Sequence, residues 1–504
     1  MNIIVQAGGR GSRLRHHTWN KPKCLVSVFG KPLLYHLFTT YPDAKYHIIG
    51  DYAFDALASY LKVNSPKIDY VLIRTREKGT ASGINEALKM IDAESPVLLV
   101  WSDLILRGSP VWPKSENPVV CITSAFMCRW SATEQGELIE KPSSERGIPG
   151  IFYFPKASLI AEPPESGEFV RWFAETVKKF DLHEYSDIEE LGEYSVIEEN
   201  NDREGFSRFF NSVEIGSHEV TKRVIDSLYK DVHENEVAWY ESAKLLGFKN
   251  IPKILSKNPF VMERIQGNHA YEMYDLSKRE KLAVMVNYVE TLAALHQSSS
   301  IKANESEIKE VYLSKTVSRV KSVSDLIPGF SQSSMTINGK KCRNIFSEKY
   351  EGIIEEVTKK LVPSNFVPIH GDPTFSNTLI DRKLQVWFID PRGSFANPGI
   401  FGDAWYDFAK VYYSAVGNYD LFNRKKFKLH FDNETIEVLM EQSIFLEAAQ
   451  EIFDDYFPKE KARIQVLHGL IWLSLSGYAK DDIDSVIASF YLGIYWLETG
   501  LSNI

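Results

Sequence analysis

The sequence predicts two domains: an N-terminal α/β domain built on an open, mostly parallel sheet, and a C-terminal α+β domain. Three observations lead there. The chain has 504 residues, more than a single hydrophobic core usually supports. Residues 1–200 alternate short apolar runs with helical stretches, the pattern of repeated βα units. The remainder opens with short strands and continues as mostly helical sequence. The acidic, polar stretch Glu198 to Glu204 is the expected boundary, which gives domains 1–204 and 205–504.

The bulk chemistry removes several function classes. Hydrophobic residues make up 44% and charged residues 25% of the chain, an ordinary globular balance. A net charge of −9 argues against a nucleic-acid or anionic-membrane surface. The cysteines Cys24, Cys121, Cys128 and Cys342 lack paired metal-ligand spacing and read as reduced thiols, so a cytoplasmic location is expected. No apolar run reaches membrane-spanning length, and no charged leader precedes an apolar region, so neither membrane insertion nor a signal peptide is expected. Small molecules are the expected partners, and a homo-oligomer is compatible with the composition.

Asn2 to Gln6 is a short apolar run, typical of a buried parallel strand. The turn Ala7-Gly8-Gly9-Arg10-Gly11-Ser12-Arg13-Leu14 follows. Glycines after a strand let backbone N–H groups approach phosphates. The spacing matches neither the dinucleotide fingerprint nor a Walker loop. Helices are expected at Leu33 to Tyr41, Ala53 to Leu61 and Ile84 to Met90, and strands at Tyr46 to Gly50, Tyr70 to Arg74 and Pro96 to Val100. Asp103 follows the last of these, at the carboxyl edge where ligands bind in such sheets.

The glycine turn, Lys21-Pro22-Lys23 and Gly30-Lys31-Pro32 together resemble the nucleotidyltransferase family that makes activated sugars and activated choline. The resemblance implies a Rossmann-like nucleotidyltransferase fold. It assigns Gly8, Gly9, Gly11 and Ser12 to the nucleotide, and Arg13 and Lys23 to the triphosphate and the transition state. Gly79 and Thr80 would pack against the base; the residues also read as a simple turn with Ser82 or Thr80 as helix cap, and both readings can hold together. Asp103 would bind magnesium, and Lys141 of Glu140-Lys141-Pro142 the incoming phosphate. The family's second metal carboxylate is assigned first to Glu198, after an expected strand Glu193 to Ile197, and next to Asp187.

In the second domain, Arg208 to Val224 reads as short strands around a turn at Gly216-Ser217, with Lys222 on a strand. Glu236 lies on the following helix and would pair with Lys222, although both residue types also suit an exposed face. Glu280 to Gln297 repeats apolar residues on one helical face. Residues 325–345, rich in Ser and Gly, are expected to form an insertion or lid. His370-Gly371-Asp372, Asn377 and Phe388-Ile389-Asp390-Pro391-Arg392-Gly393 then supply two carboxylates and an amide. Phosphoryl transfer uses that set as a base and as magnesium ligands. A helix from Asp403 to Val416 and further helices over about 420–504 complete the chain.

The loop His-Gly-Asp-four residues-Asn resembles the aminoglycoside phosphotransferase and choline kinase family. The resemblance implies a two-lobed, protein-kinase-like fold, with an N-lobe of about 205–266 and a C-lobe of about 267–504. It makes Asp372 the base, gives Asn377 and Asp390 to magnesium, and gives Lys222, Glu236, Glu263 and Ile265 to ATP. Asp403 would brace the site. The expected activity is phosphorylation of a small hydroxyl compound (a sugar, polyol or amino alcohol) with ATP. A nucleoside monophosphate would then be transferred onto the new phosphate, for cell-surface polysaccharide. Ser12 favours CTP as the second nucleotide. One alternative is a choline or ethanolamine kinase joined to a phosphocholine-type cytidylyltransferase, although Asp390-Pro391-Arg392-Gly393 differs from the choline kinase Asp-Trp-Glu. Another is a single metabolite or antibiotic kinase with a regulatory nucleotide-binding domain.

Overall fold

The computed structural model describes residues 1–75, 77–108, 110–204, 211–225 and 230–503. The chain divides into two compact units, Met1–Arg203 with Asp481–Ile483, and Glu204–Lys480 with Asp484–Ile504.

The first unit is built on a seven-stranded sheet. Its order is Asp181–Glu184, Val119–Ile122, Ile151–Phe154, Val97–Trp101, Asn2–Gln6, Lys45–Gly50, Asp69–Arg74. All neighbours are parallel except where Ile151–Phe154 runs against both of its own. Strand interiors such as Ile3, Ile4, Val5, Leu98 and Leu99 are fully buried, as expected when both faces of a parallel sheet are covered. Ile4, Leu99, Phe152, Phe169 and Phe173 belong to one core cluster.

The carboxyl ends of Asn2–Gln6 and Val97–Trp101 lie in register, with Gln6 opposite Trp101. The glycine turn leaves from the first and Asp103 follows the second. Gly11 has φ +67°, and a Cβ there would sit 3.0 Å from the Lys23 side chain, so this turn needs glycine. Gln6 Nε2 donates to the Thr80 carbonyl at 2.7 Å, which fixes the Gly79-Thr80 turn at the same edge.

One expectation in this unit needs correction. Glu193 to Ile197, expected as a strand, begins the helix Tyr194–Glu204. Its apolar Val196 and Ile197 pack on Leu14 and Leu33, so tertiary contact outweighs local β propensity. The strand that does form there is Ile188–Glu190, paired antiparallel with Leu104–Leu106.

The second unit opens with an antiparallel sheet ordered Asn211–Ile215, Glu219–Val224, Phe260–Glu263, Ile254–Lys257. Of the strands expected over Arg208 to Val224, Arg208–Phe210 lie outside the described residues. The helix Lys230–Leu245 follows, and its buried Trp239 donates to the Ile369 carbonyl at 2.6 Å. Longer helices make up much of the rest: Lys278–Gln297, Ala404–Ala415, Lys461–Ser476 and Ile483–Leu501. Ser277 and Glu280 form a capping box at the start of the first of these.

The stretch expected as a lid is ordered secondary structure. Ser334–Ile337 and Lys340–Arg343 form a hairpin through Asn338 (φ +46°) and Gly339 (φ +76°). Positive φ at both turn positions matches the right-handed twist of the strands. This hairpin joins a second one, Phe427–Phe431 with Thr435–Met440, in one four-stranded sheet. Residues 420–504 are therefore not purely helical, as the alternation of buried Phe427 and Leu429 with exposed Lys428 and His430 requires.

Candidate active sites

In the first unit, Arg13, Thr80, Trp101, Asp103, Arg129 and Glu190 line one cavity of ≈ 900 Å³, counted to its open mouth. Lys23 is 8% exposed, and its Nζ lies 2.5 Å from Asp103 Oδ2. Arg13 ion-pairs with Glu193 and reaches Glu190 Oε1 at 3.6 Å. The Glu190 carboxyl is pushed above its ordinary range, by burial first and then by the charge of Asp103. Two carboxylates thus face one cavity and repel each other, an all-oxygen donor set of the kind a hard divalent cation takes.

Glu190 was not legible as a site residue. Its place follows from a register: Glu190 pairs with Leu104, the neighbour of Asp103, across two three-residue strands. Glu198 lies elsewhere, on the helix Tyr194–Glu204, where its Oε1 meets His17 Nε2 at 2.8 Å. His16, His17 and Glu198 bring ligand atoms within 4.8 Å of one another. Lys141 is exposed and absent from the cavity wall, whereas Arg129 lines it and ion-pairs with Glu140 and Glu168.

Gly9 accepts the Lys23 N–H at 3.2 Å, which ties the glycine turn to the Lys21-Pro22-Lys23 segment. Ser12 starts a short 3₁₀ turn, Ser12–Thr18. Thr80 Oγ1 accepts the Phe169 N–H at 2.9 Å. Gly79 has φ +103°, and a Cβ there would come within 2.2 Å of the Gly167 carbonyl oxygen, so no larger residue fits.

In the second unit, the hairpin Thr378–Ile380 with Val386–Phe388 explains how sequence spacing becomes proximity. Thr378 pairs with Phe388, and Ile389 N–H donates to the Asn377 carbonyl at 3.0 Å. Asn377 and Asp390 are thereby brought to one end of the hairpin. Asn377 Nδ2 donates to the Asp372 carbonyl at 2.9 Å, which leaves its amide oxygen as the atom suited to a cation. Asp390 Oδ1 lies 2.7 Å from Lys222 Nζ, and Lys222 also meets Glu236 at 2.8 Å. Lys222 and Glu236 are almost fully buried. The two carboxylates raise the ammonium against its burial, so Lys222 carries its charge in place. Glu263 ends the strand Phe260–Glu263 and donates its N–H to Lys253 at 2.9 Å; Ile265 follows two residues on.

Lys410 Nζ lies 2.9 Å from Asp372 Oδ1. The residue that holds the Asp372 loop is Asp407. It is fully buried, accepts His370 N–H at 2.8 Å and Gly371 N–H at 2.7 Å, and meets His296 Nε2 at 3.0 Å. Asp403, expected as the brace, caps the helix Ala404–Ala415 and accepts from Tyr312 Oη at 2.9 Å. His370 Nε2 donates to the Ile389 carbonyl at 2.9 Å, and burial lowers its basicity, so it acts as a neutral strut. No helix among the described residues is long and apolar enough to cross a membrane.

Solved structures with a similar chain path include the inositol-1-phosphate CTP transferase from T. maritima. It is 14% identical with a TM-score of 0.31, over 38% of this chain and 90% of that one. Another is the CTP:phosphocholine cytidylyltransferase from Streptococcus pneumoniae, 17% identical with a TM-score of 0.30, over 38% and 94%. Among curated proteins, the bifunctional protein GlmU of Methanocaldococcus jannaschii is 32% identical over 109 residues, 21% of this chain and 26% of that protein. GlmU of Paraburkholderia xenovorans is 30% identical over 107 residues, 21% and 23%. The chain thus spans about a quarter of the length of these relatives. Residues 3–112 match the MobA-like NTP transferase domain family. Over residues 3–112 the first unit is thus similar to the MobA-like NTP transferase domain, and its Rossmann-like sheet is mostly parallel.

Proposed function

We propose that the chain is a cytoplasmic, bifunctional enzyme that catalyses two consecutive steps. In the second unit, a protein-kinase-like fold phosphorylates a hydroxyl of a small molecule with ATP. In the first, a nucleoside monophosphate is transferred onto that phosphate ester and pyrophosphate is released. CTP is the favoured donor because of Ser12. The product is a nucleotide-activated precursor for cell-surface polysaccharide. The observation that carries the reading is the continuous polar chain Glu236–Lys222–Asp390, next to Asn377–Asp372, in a molecule that also holds Asp103, Arg13 and Glu190 at one cavity, with Lys23 paired to Asp103.

In the kinase step, Asp372 accepts the acceptor hydroxyl proton, the new O–P bond forms to the γ-phosphorus, and ADP leaves. Lys222, held charged by Glu236 and Asp390, positions the phosphates. In the second step, an ester phosphate oxygen attacks the α-phosphorus as the bond to pyrophosphate breaks. The ester is already ionised, so no base is needed; Lys23 and Arg13 oppose the accumulating negative charge. Binding of the triphosphate exchanges the Lys23 partner from Asp103 to phosphate oxygen. Magnesium would be held by Asp103 and Glu190 in the first unit and by Asn377 and Asp390 in the second, where it would neutralise phosphate charge.

A screen of small alcohols with ATP tests the reading, each phosphorylated product then being offered to the enzyme with each NTP. If no kinase product ever releases pyrophosphate, the two-step reading fails. Glu190→Gln should raise the Mg²⁺ concentration needed for half-maximal pyrophosphate release by about tenfold or more, since even outer partners of a metal contribute that much. The raised Glu190 carboxyl also sets a direction with pH. Its protonated form cannot bind a cation, so Mg²⁺ affinity should fall on acidification at a higher pH than for an ordinary carboxylate, and titrations at several pH values would measure this.

A further inference from the structure

The second unit contains a cavity of ≈ 320 Å³, counted to its mouth, that none of the residues assigned to ATP touches. Lys315, Arg319 and Arg392 all line it. Lys315 and Arg319 are four apart on the helix Lys315–Lys321 and so share a face. A π-helical turn, Lys309–Ser314, precedes them, a local widening common at functional sites. Arg392 comes from the loop after Asp390, donates its backbone N–H to the His370 carbonyl at 3.0 Å and reaches Tyr406 Oη at 3.1 Å. The cavity therefore abuts the loop that carries Asp372.

Its charge is unbalanced. The wall contains no carboxylate, and among the described residues none lies within 4 Å of any of these three cations. Arg319 donates to the neutral Ser474 Oγ at 2.8 Å. Elsewhere in the unit, buried cations are paired: Lys222 with Glu236 and Asp390, and Lys410 with Asp372. Burial, and then repulsion from Arg392, Arg319 and Lys410, pushes the Lys315 ammonium down to about 7, with Glu310 acting the other way. All three cations are half-buried, and like charges gathered partly out of water are costly unless a ligand brings the counter-charge. ATP is not that ligand, because Lys222, Asn377 and Asp390 all lie off this wall.

We propose that Lys315, Arg319 and Arg392 bind an oxyanion, carboxylate or phosphate, borne by the alcohol that Asp372 deprotonates. The acceptor is then a hydroxy acid or a phosphorylated polyol rather than a neutral sugar or a cationic amino alcohol. The identification as acceptor rests on the kinase reading; the anion site itself does not.

Two measurements test it. In the first, ADP formation is followed with glycerol against glycerate, and with glucose against gluconate and glucose 6-phosphate. An anionic member should be preferred at least about tenfold in kcat/KM, as charge-assisted bonds to a fixed cation allow. The carboxylate and phosphate arms separate the two sources of the oxyanion. Arg319→Gln should raise KM for the preferred anion with KM for ATP unchanged, and Arg319→Lys should recover part of the loss. Equal or better use of the neutral member overturns the proposal. In the second, thermal unfolding is followed with inorganic phosphate and with glycerate. Both should stabilise the wild type more than a Lys315→Met, Arg319→Gln double variant. Equal stabilisation of the two proteins overturns the proposal. If stabilisation is lost in the variant while no acceptor yields ADP, the anion site stands and the kinase reading falls.

Discussion

Asp372→Asn should lower ATP-dependent phosphorylation by about 100- to 10,000-fold, the range a positioned general base supplies. Pyrophosphate release from a preformed phosphate ester should be unchanged. The asparagine keeps the shape of the side chain but loses its negative charge and, with it, the ability to take a proton. The loop itself should stay in place. It is held by bonds to the backbone of His370 and Gly371 and by the His370 bond to Ile389, none of which involves the Asp372 carboxylate. Lys410 loses its charged partner at 2.9 Å, so a modest fall in melting temperature should accompany the change. Coupled ADP assays on the purified variant decide the matter: turnover within tenfold of wild type would remove Asp372 from the role of base.

Lys23→Ala should have the reciprocal effect, a loss of about 100- to 1,000-fold in nucleotidyl transfer, comparable with removing one fixed stabiliser of a developing anion. Phosphorylation should be spared. The Lys23 stem also packs beneath Gly11, where a Cβ would meet it at 3.0 Å, and its ammonium neutralises Asp103. Alanine therefore removes packing as well as charge. Lys23→Met restores the stem alone. If methionine recovers stability without recovering pyrophosphate release, the charge carries the chemistry. If it recovers both, Lys23 is a packing residue and the triphosphate must be held by others.

What could be read from the sequence was whatever lies close along the chain. The glycine turn and Asp103 sit at the ends of strands whose apolar runs announce them, and Lys23 follows the turn in a short 3₁₀ turn, Lys23–Leu25. Asp372, Asn377 and Asp390 fall within one short segment closed by a hairpin. Glu190 escaped because its position depends on a register between two three-residue strands, too short to leave a periodic signal. Glu193 to Ile197 leads into a helix rather than forming a strand, and the β-forming Tyr194, Val196 and Ile197 cannot disclose that Ile197 will be buried on one side of that helix. The hairpin at 334–343 did carry a signal, Asn338-Gly339, which the surrounding serines and glycines obscured. The cation cluster at Lys315, Arg319 and Arg392 joins positions far apart in the chain, and the sequence offers no reason to group them.

The bonding of Asp407 gives the second unit an internal reporter. Each of its oxygens takes a consecutive amide proton, from His370 and from Gly371, in a site shut off from water. Bonds to a buried carboxylate polarise the amide strongly. In a proton NMR spectrum both resonances should lie well downfield, and both should exchange slowly with deuterium. Fast exchange at these two amides would mean that the loop opens readily. Their persistence would register the loop as assembled before any substrate is known, from two resonances alone.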